Sequence, residues 1–138
     1  MTEAQAVEAI SARFLAAWPG ASGSTPFALV NEARLAVDTF AQLQFLPGIR
    51  QPISQGASRM YESHTWVVVQ LWTPVNAGAA PMATLIDAAR AVFERQTLTV
   101  GSERLTMDAG MTRGVAKNFD GRWDISAVQF DAWWFESR

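Results

Sequence analysis

Residues 64–72 read HTWVVVQLW, and no other stretch of the sequence gives a stronger strand signal. It is rich in β-branched and aromatic side chains, which pack well on a buried, pleated surface. Thr73 and Pro74 follow, and proline ends a strand because it cannot donate to the hydrogen-bond ladder. This stretch predicts a hydrophobic strand around which the other elements are arranged.

Helical patterns lie on both sides of this strand. Thr2 and Gln5 form a capping-box pair before an apolar stripe, which predicts a helix over residues 3–17. Pro81 suits a first helical turn, and the stripe after it predicts a second helix over residues 81–95. The packing residues expected on the sheet are Phe14, Trp18, Ile86 and Phe93.

Further strands are expected where apolar and polar residues alternate or where turn dipeptides separate apolar runs. These segments are residues 36–46, 98–107, 109–118 and 122–135, with turns at Gly101-Ser102 and Asp120-Gly121. Residues 27–35 fit either a short strand or a helix. The order predicts one α+β domain over residues 1–138, with two helices packed on a mostly antiparallel β-sheet.

Residues 47–62 contain two prolines, two glycines and two arginines without periodicity, which predicts a long, mobile loop. Arginine, methionine and tyrosine are among the residues that interfaces favour. Arg50, Arg59, Met60 and Tyr61 are therefore candidate partner contacts that become ordered only against a neighbouring molecule.

The composition excludes several classes of protein. The chain has 138 residues, 49% of them hydrophobic and 17% charged, with a net charge of −2 and no cysteine. A disordered tail, a basic nucleic-acid-binding domain and a disulfide scaffold do not fit these values. No targeting or membrane-spanning segment is recognisable, so a soluble, intracellular protein without membrane or sequence-specific nucleic-acid partners is expected.

The sequence also offers little for catalysis. His64 is the only histidine and begins the hydrophobic strand, where a structural ring with satisfied nitrogens is the favoured interpretation. No glycine motif for phosphate and no metal-ligand set occurs, so neither cofactor nor metal is expected. Glu62, Asp108 and Asp131 could meet in space, but their spacing does not require it. The chain is predicted not to be an enzyme.

Six tryptophans stand out. Trp18 and Trp66 lie on or beside apolar stripes and are assigned to the core. Trp133 and Trp134 are adjacent, so on a strand they point to opposite faces, and two helices cover only one face. Both are candidate partner contacts, and Trp134 is taken as the anchor on the uncovered face.

Several segments in order resemble the phage family of small tail-completion proteins, or tail terminators, of the lambda minor tail protein U type. They are TWVVVQLWTP, Gly78, the helix LIDAARAVFE, the N-terminal AVEAISARFLAAW, PFALVNE and the closing DGRW. The resemblance implies a mixed sheet with packed helices and favours a short strand at FALV. It also implies that the candidate contact residues named above bind other copies of the chain or the tail tube.

The function that the resemblance implies is structural. Several copies, typically six, form a ring on the end of the tail tube, stop its growth and present a surface to the head connector. The protein would reside in the host cytoplasm during assembly and then in the virion tail. The alternative is a small-molecule-binding α+β domain whose tryptophans line a pocket between sheet and helices. A ring-forming protein leaves apolar surface outside, whereas a binding domain encloses its aromatic residues.

Overall fold

The computed structural model describes residues 1–18, 27–28, 40–54, 60–74, 78–117 and 123–137. Its helices are α1 (Glu3–Ala17) and α2 (Ala79–Phe93). Its strands are β1 (Phe27–Ala28), β2 (Phe40–Pro52), β3 (Met60–Pro74), β4 (Thr97–Val100), β5 (Glu103–Met107), β6 (Met111–Lys117) and β7 (Trp123–Ser137).

The strands form a seven-stranded sheet in the order β1-β2-β3-β7-β5-β4, and β6 also pairs with β7. β1 runs parallel to β2, and every other pair is antiparallel. The predicted α+β class, with a mostly antiparallel sheet and two helices, is confirmed. The hydrophobic strand β3 lies inside the sheet, between β2 and β7.

The helix starts follow from their caps. The Gln5 N–H donates to Thr2 Oγ1 at 3.3 Å, and the Thr2 N–H donates to Gln5 Oε1 at 2.9 Å, which completes the predicted capping box. α2 begins and ends two residues earlier than predicted. It begins earlier because Gly78, with φ 90°, is its N-cap. That backbone conformation favours glycine, and Pro81 still lies in the first turn.

Both helices contribute to a core on one face of the sheet, here called the helix-covered face. Alternate residues of the central strands point to it, among them Val67 and Leu71 on β3 and Phe130 on β7. The aromatic rings in this core pack against one another: Phe14–Trp18 centroids are 5.2 Å apart and Phe93–Phe130 centroids 5.5 Å apart. Phe14, Trp18, Phe93 and half-buried Ile86 pack as expected.

The other face, here called the open face, carries the alternate residues of β3 and β7 and no described helix. Most of its residues are only half-buried, among them His64, Trp66 and Trp133. The sequence analysis predicts Trp66 in the core, and that prediction is wrong because Trp66 lies half-buried on the open face. Neither described helix is long and apolar enough to span a membrane.

The prediction of a long loop over residues 47–62 is wrong for residues 47–52 and 60–62, which are strand. The register shifts between Pro47 and Arg50, and this irregularity breaks the two-residue alternation that identifies a strand in sequence. Gly48 lies inside it, where a Cβ would collide with the backbone carbonyl of His64. Pairing then resumes at Arg50 with Ser63, so β2 and β3 form one long hairpin.

Two further predictions meet the limits of the described residues. β6 and β7 pair antiparallel as expected, while their turn at residues 118–122 lies outside the described residues. Phe27–Ala28 is a short strand, and the rest of residues 27–35 lies outside as well. Residues 55–59, which include Arg59, also lie outside them.

Candidate interaction surface

Exposed apolar side chains concentrate at the hairpin end of the sheet. Among the described residues, the exposed large hydrophobic side chains are Leu15, Leu46, Ile49, Ile53, Met60, Met111 and Phe135. All but Leu15 and Met111 lie on the β2–β3 hairpin or on the end of β7 beside it. We call Leu46, Ile49, Ile53, Met60 and Phe135, together with half-buried Trp66 and Trp133, the hairpin patch.

The sheet register explains why these side chains are neighbours. Leu46 pairs with Trp66, and Glu62 pairs with Phe135. Directly opposed residues share a face, so the patch lies on the open face. Its aromatic rings contact each other edge to face, with the Trp133 and Phe135 centroids 5.7 Å apart.

A charged cluster lies within the patch. His64 Nδ1 is 3.0 Å from each carboxylate oxygen of Asp131, and His64 Nε2 is 2.6 Å from Glu62 Oε1. Burial lowers the pKa of His64, but the hydrogen bonds and charges of Asp131 and Glu62 outweigh it and raise the pKa above 6.5. Both ring nitrogens have partners, as the sequence interpretation expects.

This cluster borders a surface cavity of about 320 Å³, whose other walls include Ile49, Gln51 and Trp66. Of the three carboxylates that the sequence left open, Glu62 and Asp131 meet at His64. Asp108 instead accepts a hydrogen bond of 3.4 Å from Trp133 Nε1. Among the described residues, no group of three histidine, cysteine or acidic side chains is placed to hold a metal.

The candidate contact residues are divided between the two faces. Met60 and Trp133 belong to the hairpin patch on the open face. Arg50 and Tyr61 lie on the opposite side of the hairpin, where the Arg50 guanidinium is 4.5 Å from the Tyr61 ring centroid. Arg50 also pairs with Glu136 at 3.4 Å.

Trp134 is not an exposed anchor, and that prediction is wrong. It is 2% exposed, belongs to the core cluster, and donates from Nε1 to the Met1 carbonyl at 3.0 Å. Its alternate neighbours Ala132, Phe130 and Val128 are also buried. The uniformly apolar character of these alternate positions was a signal in the sequence for the covered face.

Sequence reasoning also missed much of the patch. Ile49 and Ile53 fall in the segment predicted as a loop. Phe135 falls in a predicted strand but is not among the predicted contact residues. The sequence did contain a signal for this face, since Asp131, Trp133 and Phe135 are alternate residues of β7 and therefore lie on the same side of the sheet. A mixture of acidic and aromatic residues at alternate positions of a strand indicates a face in contact with water.

Comparison with known proteins shows similarity to solved structures and to no described family. No protein-family model and no curated protein sequence matches the chain. Solved structures do match, among them a chain of the virion of a native gene transfer agent particle, with a TM-score of 0.58 and 19% identity. This match covers 98% of the present chain and 100% of that chain. The fold is shared with a virion protein.

A second solved structure, which carries only a sequence identifier as its name, matches with a TM-score of 0.65 and 16% identity. That match covers 96% of both chains. Both likenesses extend over nearly the whole of each chain. At these identities they establish the fold and leave function to be argued separately.

Proposed function

We propose that this chain is a tail-completion protein of a phage or phage-like particle. Copies form a ring, six in number as the sequence resemblance implies, that caps the tail tube and joins it to the head connector. The observation that carries this proposal is the fold shared along 98% of this chain with a chain of a gene transfer agent virion. The tail-terminator motifs in the sequence support the same function.

The surface of the molecule supports assembly. Exposed apolar patches rimmed by polar residues are typical of protein contacts, and the hairpin patch has this composition, with Ile49 66% and Phe135 46% exposed. A closed ring needs a heterologous interface, in which one surface of each copy meets a different surface of the next. The candidate contacts fit this need, because Met60 and Trp133 lie on one side of the hairpin and Arg50 and Tyr61 on the other.

The core argues against the alternative of an aromatic-lined pocket. Between sheet and helices, the rings of Phe14, Trp18 and Phe93 lie against one another, with Phe14–Phe93 centroids 6.1 Å apart. Trp66 and Trp133, by contrast, are on the open face. This distribution favours contact with other proteins over enclosure of a small molecule. The partners in this proposal are further copies, the tail tube protein and the head connector.

The test is native mass spectrometry and negative-stain electron microscopy of the purified chain, alone and with purified tail tubes. Closed rings of one copy number, or caps at one end of each tube, are expected. Open filaments, or a monomer that ignores tube ends at every concentration, would contradict the proposal.

A matched pair of variants connects the ring to the hairpin patch. Met60→Ser with Phe135→Ser removes two exposed apolar groups from the patch, and we expect it to abolish rings while leaving the fold intact. Leu15→Ser removes a similarly exposed group from α1, 42% exposed, and serves as control with rings retained. Equal loss in both variants would remove the special role of the patch.

A further inference from the structure

A second cavity, of about 230 Å³, lies on the helix-covered side where the first turn of α1 meets the hairpin. Glu3 of α1 and the N-cap residue Thr2 line it together with Arg50, Ser63 and Glu136 of the sheet. Trp134 forms another part of its wall. Ile49 and His64 reach this cavity from the edge of the hairpin patch. The proposed function counts Arg50 among the ring contacts but gives the cavity itself no role.

Ser63 is the unusual residue of this cavity. The residue is 5% exposed, and its Oγ is buried with no hydrogen-bond partner among the described residues. Buried polar groups are nearly always hydrogen-bonded, so an unpartnered hydroxyl in the wall of a cavity indicates a ligand or a water there. A serine hydroxyl can donate one hydrogen bond.

The start of α1 supplies further donors. Thr2 Oγ1 accepts from the Gln5 N–H, whereas the N–H groups of Glu3 and Ala4 belong to the first turn, where the helix itself offers no acceptor. The positive end of the helix dipole lies at the same place. Both effects favour an oxygen acceptor with negative charge.

Arg50 adds a charged donor. One guanidinium nitrogen is 3.4 Å from Glu136 Oε2, and the side chain remains 38% exposed. A guanidinium has five N–H donors, so Arg50 can bind a second acceptor without releasing Glu136. Serine hydroxyl, helix N-terminus and guanidinium thus all offer donors to one small space.

The carboxylates in the wall decide which acceptor fits. Glu3 and Glu136 repel an anion, and they repel a dianion twice as strongly as a monoanion. We propose that this cavity binds a single carboxylate group, supplied by a small carboxylic acid or by an acidic side chain of a neighbouring copy. The inference stands independently of the proposed tail function.

The site is tested by titrating the full chain with sodium acetate and measuring the amide chemical shifts of Glu3, Ala4 and Ser63. A titration with sodium chloride at equal ionic strength is the control. Saturable shifts are expected with acetate only. Ser63→Ala and Arg50→Gln should each weaken acetate binding about tenfold, because each removes a hydrogen bond to a charged group. Arg104→Gln, at an exposed arginine that does not line this cavity, is the matched control and should bind like the unaltered chain.

Shifts that do not saturate, or that both substitutions leave unchanged, would overturn the site. Tighter binding of inorganic phosphate than of acetate would overturn the assignment to a carboxylate. Sedimentation velocity then separates the sources. If acetate dissociates associated copies, the natural occupant is a neighbour's side chain, and if it binds without changing sedimentation, the occupant is a small acid.

Discussion

Trp133 and Trp134 are adjacent in sequence and opposite in environment. Trp134 is 2% exposed and packs in the core beneath the helices, while Trp133 is half-buried on the open face and donates to Asp108. Residue type and strand propensity are the same for both. The difference teaches that the face of the sheet, and not the side chain, decides whether an aromatic residue here stabilises the fold or forms a surface.

The same contrast extends along the central strands. On the helix-covered face of β3, Val67, Val69 and Leu71 are fully buried. On its open face, Glu62 and His64 hold charge beside an aromatic residue, Trp66. One face therefore supplies hydrophobic stability, and the other keeps charged and apolar groups accessible to a partner.

The largest expected effect tests the pair of tryptophans directly. Trp134→Ala should lower the free energy of unfolding by about 3–5 kcal/mol, because it opens a cavity in the core. Trp133→Ala should lower it by about 1 kcal/mol or less, since a partly exposed side chain loses less packing. Urea denaturation followed by circular dichroism measures both, and equal losses would contradict the assignment of faces.

An intermediate effect is expected at the strand irregularity that precedes the hairpin patch. Gly48→Ala should lower the free energy of unfolding by about 1–3 kcal/mol, because its Cβ would collide with the His64 carbonyl and force the backbone apart. Ile49→Ala, next to it and 66% exposed, should change it by about 0.5 kcal/mol or less. If Gly48→Ala were as harmless as Ile49→Ala, the close approach of β2 to β3 would be refuted.

The smallest effect concerns charge on the open face. Because the pKa of folded His64 is raised above 6.5, its pairing with Glu62 and Asp131 stabilises the fold fully below about pH 6.5. This stabilisation is lost as pH rises through the folded-state pKa. The effect should be modest, since His64 and Asp131 side chains are 22% and 23% exposed and solvent screens them.

Thermal unfolding of the unaltered chain and of His64→Gln between pH 6 and pH 9 measures the stabilisation that His64 contributes. The difference between the two should shrink as pH rises. A difference that stays constant, or grows with pH, would show that His64 is not held in its charged form by the two carboxylates.

Much of the fold was predictable because its signals are local. The capping box at Thr2 and Gln5 fixed the start of α1, and β-branched residues identified β3. The sequence placed the start of α2 at Pro81, two residues late, because a glycine N-cap such as Gly78 makes no side-chain cap that a pattern reveals. These elements depend on neighbours within a few positions, so single-sequence reasoning reaches them.

The site was harder to predict, because it depends on partners distant in sequence. Pro47 and Gly48 are residues typical of loops, but pairing with β3 makes this segment part of strand β2. The interpretation of Trp134 is wrong because it rests on the neighbouring Trp133 and leaves out Val128, Phe130 and Ala132, the apolar residues that alternate with Trp134 on the covered face. The meeting of His64 with Asp131 likewise requires the register of β3 against β7, which no local pattern gives.

The position of β7 has a consequence for how the chain is made. This strand lies inside the sheet, with β3 on one side and β5 and β6 on the other. Its partner β3 is about sixty positions earlier in sequence, as in the pair Trp66 and Asp131. During synthesis, β3 therefore has an unpaired edge until β7 has been made, and the sheet closes only after β7 has left the ribosome. The hairpin patch, which needs Phe135 and Trp133 beside the hairpin, forms only after this late pairing.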